Sequence, residues 1–134
     1  MVLVVLCLAG SALAESARHH YDRGGEAFNN GQYDQAITHY NKALAQNPSY
    51  AEAYVNRGIA HARQGKSDLA IADFNQALEL NPNYAKAYYD RALAFSLKKD
   101  YGQAWENVHK AQALGYTVNP EFLEKLQRAF GRSE

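Results

Sequence analysis

The amino-acid sequence predicts an all-α fold in which three similar pairs of helices stack on one another and a single final helix covers one end of the stack. Three observations carry this prediction. Residue types recur with a period of 34 over most of the 134-residue chain. Apolar residues recur every three or four positions within each period, and glycine or proline interrupts the pattern at regular points. A repeat of this length is one small helical unit, which buries its apolar side only by stacking on its neighbours.

The period is visible when residues 17–50, 51–84 and 85–118 are aligned as three successive units. Two columns hold alanine in all three units, and a third column holds arginine in all three. A fourth column holds Gly, Gly and Ala, and a fifth holds Tyr, Phe and Val. So many matches at one spacing indicate a true repeat. The columns are Ala36, Ala70 and Ala104; Ala43, Ala77 and Ala111; Arg23, Arg57 and Arg91; Gly24, Gly58 and Ala92; and Tyr40, Phe74 and Val108.

Each unit is predicted to form two short helices, as the second unit illustrates. Tyr54, Gly58 and His61 share one helical face before Gly65 interrupts the pattern. The small residue at position 58 allows the paired helices to approach closely. A second amphipathic pattern follows and ends at the Asn-Pro pair that closes the unit. Its apolar positions are Ala70, Ile71, Phe74, Ala77 and Leu78.

Turn residues separate the predicted helices. Gly31 and Gly65 suit the tight turn within a unit, since glycine adopts positive φ at little cost. The third unit has Lys99 at this position, which predicts a slightly altered turn. Pro48 and Pro82 lie between units, where proline ends one helix before the next begins.

Residues 120–130 are predicted to form a capping helix. Asn119 suits the N-cap position and Pro120 suits the first helical position. Because the apolar residues form one stripe, we expect this helix to cover the open end of the third unit. The alternative is an exposed amphipathic helix that recruits a partner. The stripe comprises Phe122, Leu123, Leu126, Ala129 and Phe130.

The period and the residues in these columns closely resemble those of the tetratricopeptide repeat (TPR) family. The match is nearly complete in the second unit, AEAYVNRGIAHARQGKSDLAIADFNQALELNPNY. It weakens at His19 and His20 in the first unit and at Gly115 and Tyr116 in the third, where the family's proline is missing. The resemblance implies a right-handed α-solenoid over residues 15–134, with a concave face lined by the first helix of each unit.

The resemblance also implies that the concave face carries an apolar and aromatic strip flanked by charges. Exposed apolar surface of this kind usually marks a contact site, and aromatic anchors with polar neighbours suit an extended or helical peptide. We expect Asn56, Arg63 and Lys86 to orient such a peptide. The alternative is that one of the chain's own terminal segments fills the groove. The expected groove residues are Tyr21, Phe28, Glu52, Val55, Asn56, Ile59, Arg63, Lys86, Tyr89, Asp90, Leu93 and Leu97.

One TPR subfamily binds the C-terminal carboxylates of chaperones through a clamp of Lys and Asn, then Asn, then Lys and Arg. The matching positions in this chain are Tyr21, Gly25, Asn56, Lys86 and Asp90. Only Asn56 and Lys86 agree with that pattern. Asp90 repels a carboxylate, and it is placed to pair with Lys86 at i, i+4. The sequence therefore predicts that the chain does not bind chaperone tails.

Composition and motif content exclude several other functions. Fourteen basic residues balance fourteen acidic ones, so the chain has no net field to attract nucleic acid. Cys7 is the only cysteine, which excludes an internal disulfide, a cysteine-based zinc site and a Cys-x-x-Cys redox pair. The five histidines lack metal-ligand spacing, and the sequence contains no phosphate-binding glycine loop or nucleophile motif. We expect no cofactor, no metal and no enzymatic activity.

The arginine column has two interpretations. Its side chains either pair with neighbours, as Arg57 is placed to do with Asp73, or present a ladder of charges to an acidic ligand. The structural interpretation is favoured. His61 stands where the family has an aromatic residue, and we expect it to be a partly buried core residue.

Residues 1–14, MVLVVLCLAGSALA, contain no charge and are fewer than the about 20 apolar residues that a membrane-spanning helix requires. An apolar stretch followed by Ala12, Leu13 and Ala14 resembles a secretory signal with its cleavage site, although no Lys or Arg precedes it. We expect a bacterial protein that is periplasmic or secreted. The alternatives are an uncleaved anchor at the membrane surface and an apolar helix packed on the domain.

These inferences lead to one expected function and one rival. We expect a non-catalytic adaptor that binds a segment of a partner protein or peptide in the concave groove. The rival is a self-assembling structural protein of the cell envelope, in which one stack docks onto the end of another. A monomer that sediments independently of concentration would exclude the rival.

Overall fold

The computed structural model of the chain describes the backbone of residues 2–131 and the side chains of residues 15–131. All regular secondary structure in that range is helical, which confirms the predicted all-α fold. Three helix pairs are followed by a single helix, as the period predicts. The helices are α1 (Val2–Asn29), α2 (Tyr33–Gln46), α3 (Ala51–Arg63), α4 (Ser67–Leu80), α5 (Ala85–Leu97), α6 (Tyr101–Ala113) and α7 (Pro120–Phe130).

The helices pack mainly against their neighbours in sequence. α1 packs on α2, α3 on α4 and α5 on α6 within the units, and the second helix of each unit also packs on the first helix of the next. The first helices of neighbouring units, α1, α3 and α5, contact one another as well. These three helices therefore share one face of the stack, where the groove is expected.

The two helices of a unit approach closely where the glycine column faces the column of large residues. An added Cβ on Gly24 would lie 2.5 Å from Cε1 of Tyr40, and one on Gly58 would lie 2.8 Å from Cε1 of Phe74. Both rings are buried. In the third unit alanine replaces the glycine, and the facing residue is correspondingly smaller, Val108. Side-chain volume in the two columns is therefore complementary.

The two alanine columns lie at the centre of the core. Their methyl groups leave room for larger side chains of the adjacent helices. Every member is 0% exposed, as the repeat pattern predicts. The six residues are Ala36, Ala43, Ala70, Ala77, Ala104 and Ala111.

Arg57 in α3 links two units. Its guanidinium donates to the carboxylate of Asp73 in α4 at 2.9 and 2.6 Å, and to the side-chain oxygen of Asn41 in the preceding unit at 2.8 Å. It also lies over the ring of Tyr54, 5.5 Å from the centroid. The bond to Asp73 raises the pKa of Arg57. This side chain thus satisfies a buried carboxylate and fixes the contact between units.

Arg91 in α5 repeats this arrangement one unit later. It donates to the side-chain oxygen of Asn107 in its own unit and to that of Asn75 in the preceding unit, both at 2.7 Å. Asn107 is uncharged, and burial lowers the pKa of Arg91. The structural interpretation of these two arginines is therefore confirmed.

The turns within units make the same hydrogen bonds in the second and third units. Gly31 and Gly65 have positive φ, 74° and 76°. Lys99 adopts the same conformation with φ 61°, and its N–H donates to the carbonyl of Ser96 at 3.0 Å, just as that of Gly65 donates to Ala62 at 3.0 Å. The prediction of an altered turn is wrong. The turn is the same, and lysine adopts the left-handed backbone at an energetic cost.

Helix α7 covers the end of the third unit, which confirms the predicted capping helix. The side-chain oxygen of Asn119 accepts from the N–H of Glu121 at 2.8 Å and of Phe122 at 3.3 Å, so Asn119 is the N-cap. Leu126 is fully buried in the core cluster that the second and third units share, and Phe122 and Leu123 pack against that cluster.

The connection to α7 differs from the two connections between units. In those, the side-chain oxygens of Asn47 and Asn81 accept the N–H two residues on, at 3.1 and 3.2 Å. Before α7 the connection comprises residues 114–119. Gly115 has φ 86°, and Tyr116 stands in the proline column. After this longer connection α7 packs on α6 less extensively than α3 packs on α2 or α5 on α4.

Helix α1 begins at Val2 and continues without interruption to Asn29. The side chains of the expected export signal, residues 1–14, lie outside the described part of the chain, so cleavage of that signal stays a prediction. Over the described residues, no helix combines the length and the apolar character that a membrane span needs.

We predict that Gly58→Ala lowers the free energy of unfolding by about 1–3 kcal/mol, because its Cβ overpacks a filled core. The methyl group would lie 2.8 Å from the ring of Phe74 and 3.1 Å from the carbonyl oxygen of Ala70. Gly25→Ala is the control: its Cβ meets nothing within 4 Å, so it should stabilise α1 by roughly 0.5–1 kcal/mol. Urea denaturation measures both, and equal stability of Gly58→Ala and the wild type would contradict the close packing.

We predict that Arg57→Ala costs about 3–5 kcal/mol of stability, because it leaves the buried carboxylate of Asp73 without its partner. The side chains of Arg57 and Asp73 are 23% and 7% exposed. Arg23→Ala is the matched control in the same column: its side chain is 56% exposed and lies 3.8 Å from Glu26, so its loss should cost less than about 0.5 kcal/mol. Similar losses in thermal unfolding of the two variants would argue against the linkage.

We predict that Lys99→Gly raises the free energy of unfolding by roughly 1 kcal/mol, because glycine relieves the left-handed backbone at φ 61°. The reverse change in the preceding unit, Gly65→Ala, should lower stability by a similar amount, since φ there is 76°. Chemical denaturation followed by circular dichroism compares the pair. A Lys99→Gly variant less stable than the wild type would show that the turn is not strained.

Candidate functional site

The first helices of the three units and α7 border an open groove of about 740 Å³. It lies on the face where the sequence places the expected binding residues, and seven of those twelve residues line it. We call it the concave groove. The lining residues that were expected are Phe28, Ile59, Arg63, Lys86, Asp90, Leu93 and Leu97. The remaining lining residues are Ala62, Phe74, Ala94, Ser96 and Phe122.

Apolar side chains from all three units form a strip along the concave groove. Ile59 and Leu93 occupy the same column of the repeat, and Leu97 lies one turn further along α5. Phe28 contributes from α1, and Phe122 contributes from α7. Solvent reaches all five side chains, and Leu97 is 65% exposed. A ligand with apolar side chains would therefore remove substantial apolar surface from water here.

The concave groove carries three charged side chains, two of which neutralise each other. Lys86 donates to the carboxylate of Asp90 at 2.6 Å, which confirms the predicted pair. Burial raises the pKa of Asp90, and the charge of Lys86 opposes that rise. Within residues 15–131, the exposed guanidinium of Arg63 has no hydrogen-bond or ion-pair partner. The concave groove therefore holds one uncompensated positive charge.

A smaller recess of about 280 Å³ opens beside the concave groove, between the first two units. The amide nitrogen of Asn56 donates to the hydroxyl of Tyr21 at 2.8 Å. The ring of Tyr21 stacks on Tyr50, with centroids 4.8 Å apart. These contacts hold Asn56 in one orientation on the wall of the recess. The recess is lined by Gly25, Phe28, Asn29, Tyr40, Asn56 and Ile59.

Tyr89, an expected anchor, is covered by the C-terminal segment of the chain. Its ring stacks on Tyr116 at 4.9 Å and meets Phe122 edge-on at 5.8 Å. Because Tyr116 replaces the proline of the earlier units, the connection carries an aromatic ring onto the third unit. At this end a terminal segment thus occupies part of the expected surface, and Tyr89 holds α7 in place.

The structure corrects the expectation that Val55 lines the groove. Val55 is 1% exposed and belongs to the core cluster. It shares a column with Tyr21 and Tyr89, and the short branched side chain stays beneath the surface that the longer aromatic residues reach. Glu52 is exposed in the first turn of α3, away from the lining of the concave groove and the recess.

Several residues that line this site were not expected there from the sequence, among them Phe122 and Tyr40. Phe122 was expected only in the capping stripe, yet it also lines the concave groove. The sequence signal for this position of Phe122 was the longer connection before α7, which lacks the proline of the other units. Tyr40 was expected only in the core, yet its ring forms part of the recess. The available signal was Gly25, which stands in the column of Ile59 and Leu93 and so leaves out the large side chain that the other units have there.

The histidines are distributed without a metal-binding arrangement. In the described part of the chain, no group of three or more His, Cys, Asp or Glu side chains is placed to hold a metal ion. His20 and His39 stack with centroids 6.1 Å apart, and burial lowers the pKa of His39. His61 is half-buried, as expected, and burial lowers its pKa as well.

Two curated proteins resemble part of the chain. U-box domain-containing protein 70 of Oryza sativa subsp. japonica is 38% identical over 47 residues, which are 35% of this chain and 6% of that protein. An uncharacterized protein of Methanocaldococcus jannaschii is 36% identical over 46 residues, 34% of this chain and 54% of that protein. The chain thus spans about half of the archaeal relative and a small part of the plant one.

Solved structures share the fold over nearly the whole chain. The first TPR domain of human RPAP3 has a TM-score of 0.85 at 27% identity and covers 89% of this chain and 95% of that one. The first TPR of Spaghetti (RPAP3), bound to the HSP90 peptide SRMEEVD, has a TM-score of 0.81 at 28% identity, covering 89% and 94%. The TPR2B domain of yeast Sti1, in a pHsp70 complex, has a TM-score of 0.79 at 27% identity, covering 90% and 99%.

Two sequence models described as tetratricopeptide repeat match the chain, one over residues 21–85 and one over residues 74–106. Together they span residues 21–106, inside the range of the 34-residue period. The sequence matches and the shared α-solenoid fold agree with the columns of the repeat. The chain belongs to the tetratricopeptide repeat family.

Proposed function

We propose that this chain is a non-catalytic adaptor that binds a segment of another polypeptide in the concave groove. The observation that carries the proposal is the apolar strip that solvent reaches, with Leu97 65% exposed, on a face built by three units. An elongated surface with spaced apolar side chains and few charges suits a peptide better than a small polar metabolite.

The structural relatives support peptide binding by this fold. The side chains of this chain, however, do not suit the chaperone peptides that those relatives bind. Spaghetti is bound to an HSP90 peptide and Sti1 is in a pHsp70 complex. In this chain Asn56 is bonded to Tyr21 at 2.8 Å and Lys86 to Asp90 at 2.6 Å. A chaperone carboxylate would have to displace both bonds and approach the carboxylate of Asp90. We infer that the bound segment is not a chaperone tail.

Apolar burial along the strip accounts for the affinity for a bound segment. Self-assembly of the chain stays a prediction, and so does its export. Burial of one large apolar side chain contributes about 1.5–3 kcal/mol, so several anchors spaced along the strip are needed together to exceed the entropy lost on association. The capping helix covers the end of the third unit with Leu126. That coverage removes one of the two open ends on which stacking of copies would depend.

We predict that Leu97→Ser weakens binding of a groove ligand at least about tenfold, because it removes a side chain whose burial contributes about 1.5–3 kcal/mol. The ligands are random peptides selected on phage against the full chain, and affinity is measured by fluorescence anisotropy. Leu80→Ser is the matched control, since Leu80 is 42% exposed and lies outside the concave groove. It should leave affinity unchanged, while circular dichroism confirms that both variants are folded.

One result would contradict groove binding, and another would contradict the inference about chaperone tails. If Leu97→Ser and Leu80→Ser bind every selected peptide as tightly as the wild type, the binding surface lies elsewhere. The HSP90 peptide SRMEEVD serves as a second probe, and we expect it to bind no better than a scrambled version. Specific binding of SRMEEVD would overturn the inference about chaperone tails and leave the groove in place.

A further inference from the structure

Gly25 lies in the interior of α1 without a packing contact that requires glycine. An added Cβ at Gly25 has no neighbour within 4 Å, whereas one at the adjacent Gly24 would collide with the ring of Tyr40. Glycine weakens a helix interior relative to alanine. Gly24 is explained by the packing of the fold, and Gly25 is not.

The repeat shows what the glycine removes. The same column holds Ile59 in the second unit and Leu93 in the third, and both side chains line the concave groove. In the first unit the absence of a side chain at Gly25 leaves the recess of about 280 Å³ and makes the ring of Tyr40 part of its wall. The recess is thus a site for a side chain that this chain does not supply.

The recess has uncharged walls. Phe28 and Ile59 form its apolar sides. Asn56 is held by its bond to Tyr21, and burial raises the pKa of Tyr40 to about 12, so its hydroxyl stays neutral. A carboxylate or ammonium group entering here would lose its water without gaining an opposite charge. A large uncharged side chain, aliphatic or aromatic, meets no such penalty.

Arg63 provides the charge that the recess lacks. Phe28 and Ile59 line both the recess and the concave groove, so the two spaces are adjacent. In the described side chains Arg63 has no ionic partner, whereas Lys86 and Asp90 neutralise each other at 2.6 Å. An acidic side chain on a bound segment is therefore complementary to Arg63.

We infer that the bound segment inserts one large uncharged side chain into the recess beside Gly25 and places an aspartate or glutamate against Arg63. This inference rests on the proposed function and specifies its partner, a polypeptide segment with an apolar anchor close to an acidic residue. The anchor supplies affinity, because a preformed pocket excludes water around it. The acidic residue sets the direction of the segment in the concave groove.

The test selects random displayed peptides separately against the full wild-type chain and against the full Arg63→Glu variant. The wild-type peptides should share a large uncharged residue and an Asp or Glu at a fixed spacing. Those selected by Arg63→Glu should keep the same anchor and carry Lys or Arg at the acidic position, because the charge they face is reversed. An unchanged charge preference would overturn the role of Arg63.

A second experiment tests the recess with a variant whose own side chain fills it. Gly25→Leu should bind the wild-type peptides at least about tenfold more weakly, because its side chain takes the place of the anchor. Its thermal midpoint should not fall, since its Cβ meets nothing within 4 Å and the same column holds Ile59 and Leu93 in the other two units. Glu26→Leu is the matched control, since Glu26 lies on the same helix, is 70% exposed and lines neither the recess nor the concave groove; it should bind within about threefold of the wild type. Full affinity in a folded Gly25→Leu variant would overturn the role of the recess.

The outcomes separate this inference from the proposed function. Selected peptides whose affinity depends on Leu97, but on neither Gly25 nor Arg63, would overturn the inference and leave groove binding intact. If no selected peptide depends on Leu97, the proposed function itself fails. A wild-type dimer in sedimentation that Gly25→Leu converts to monomer would assign the recess to a second copy of the chain and overturn the inference as stated.

Discussion

The close approach of the two helices within each unit is the constraint on which the rest of the structure depends. At Gly24 and Gly58 the rings of Tyr40 and Phe74 fill the space that a β-carbon would need. Because the helices lie so close together, the alanine columns beside them are fully buried. Each unit then presents a continuous apolar surface on which the next unit stacks. A pair held further apart would lose that surface, and with it the stacking by which each unit buries its apolar side.

The half-buried arginines Arg57 and Arg91 give the stack a defined register. Apolar contact alone is non-directional, but Arg57 and Arg91 each bond to the second helix of their own unit and to that of the preceding one. These bonds set how the first helices, which carry the concave groove, lie relative to one another. The geometry of the groove thus depends on contacts outside it. Its own apolar side chains are left available for a partner.

The fold was predictable from the sequence because core positions recur and the period reports them directly. The site was less predictable, since a column fixes the direction of a side chain and not its reach. Val55 and Tyr89 share a column, yet valine stays in the core and the tyrosine ring lies beneath α7. That cover involves Tyr116, which departs from the repeat, so periodicity gave no information about it. At Lys99 the packing of the unit overrides the backbone preference of the residue.

Each column of a repeat also acts as an internal control that separates packing from function. Ile59 and Leu93 show that their column accepts large side chains without disturbing the fold, so the glycine at position 25 follows from no rule of the repeat. It weakens α1 and relieves no contact. A departure with a local cost and no gain in packing is expected where a protein meets a ligand. Arg63 is a second departure of this kind, in charge instead of size. Its column holds asparagine and leucine in the other two units, and its guanidinium has no ionic partner among residues 15–131.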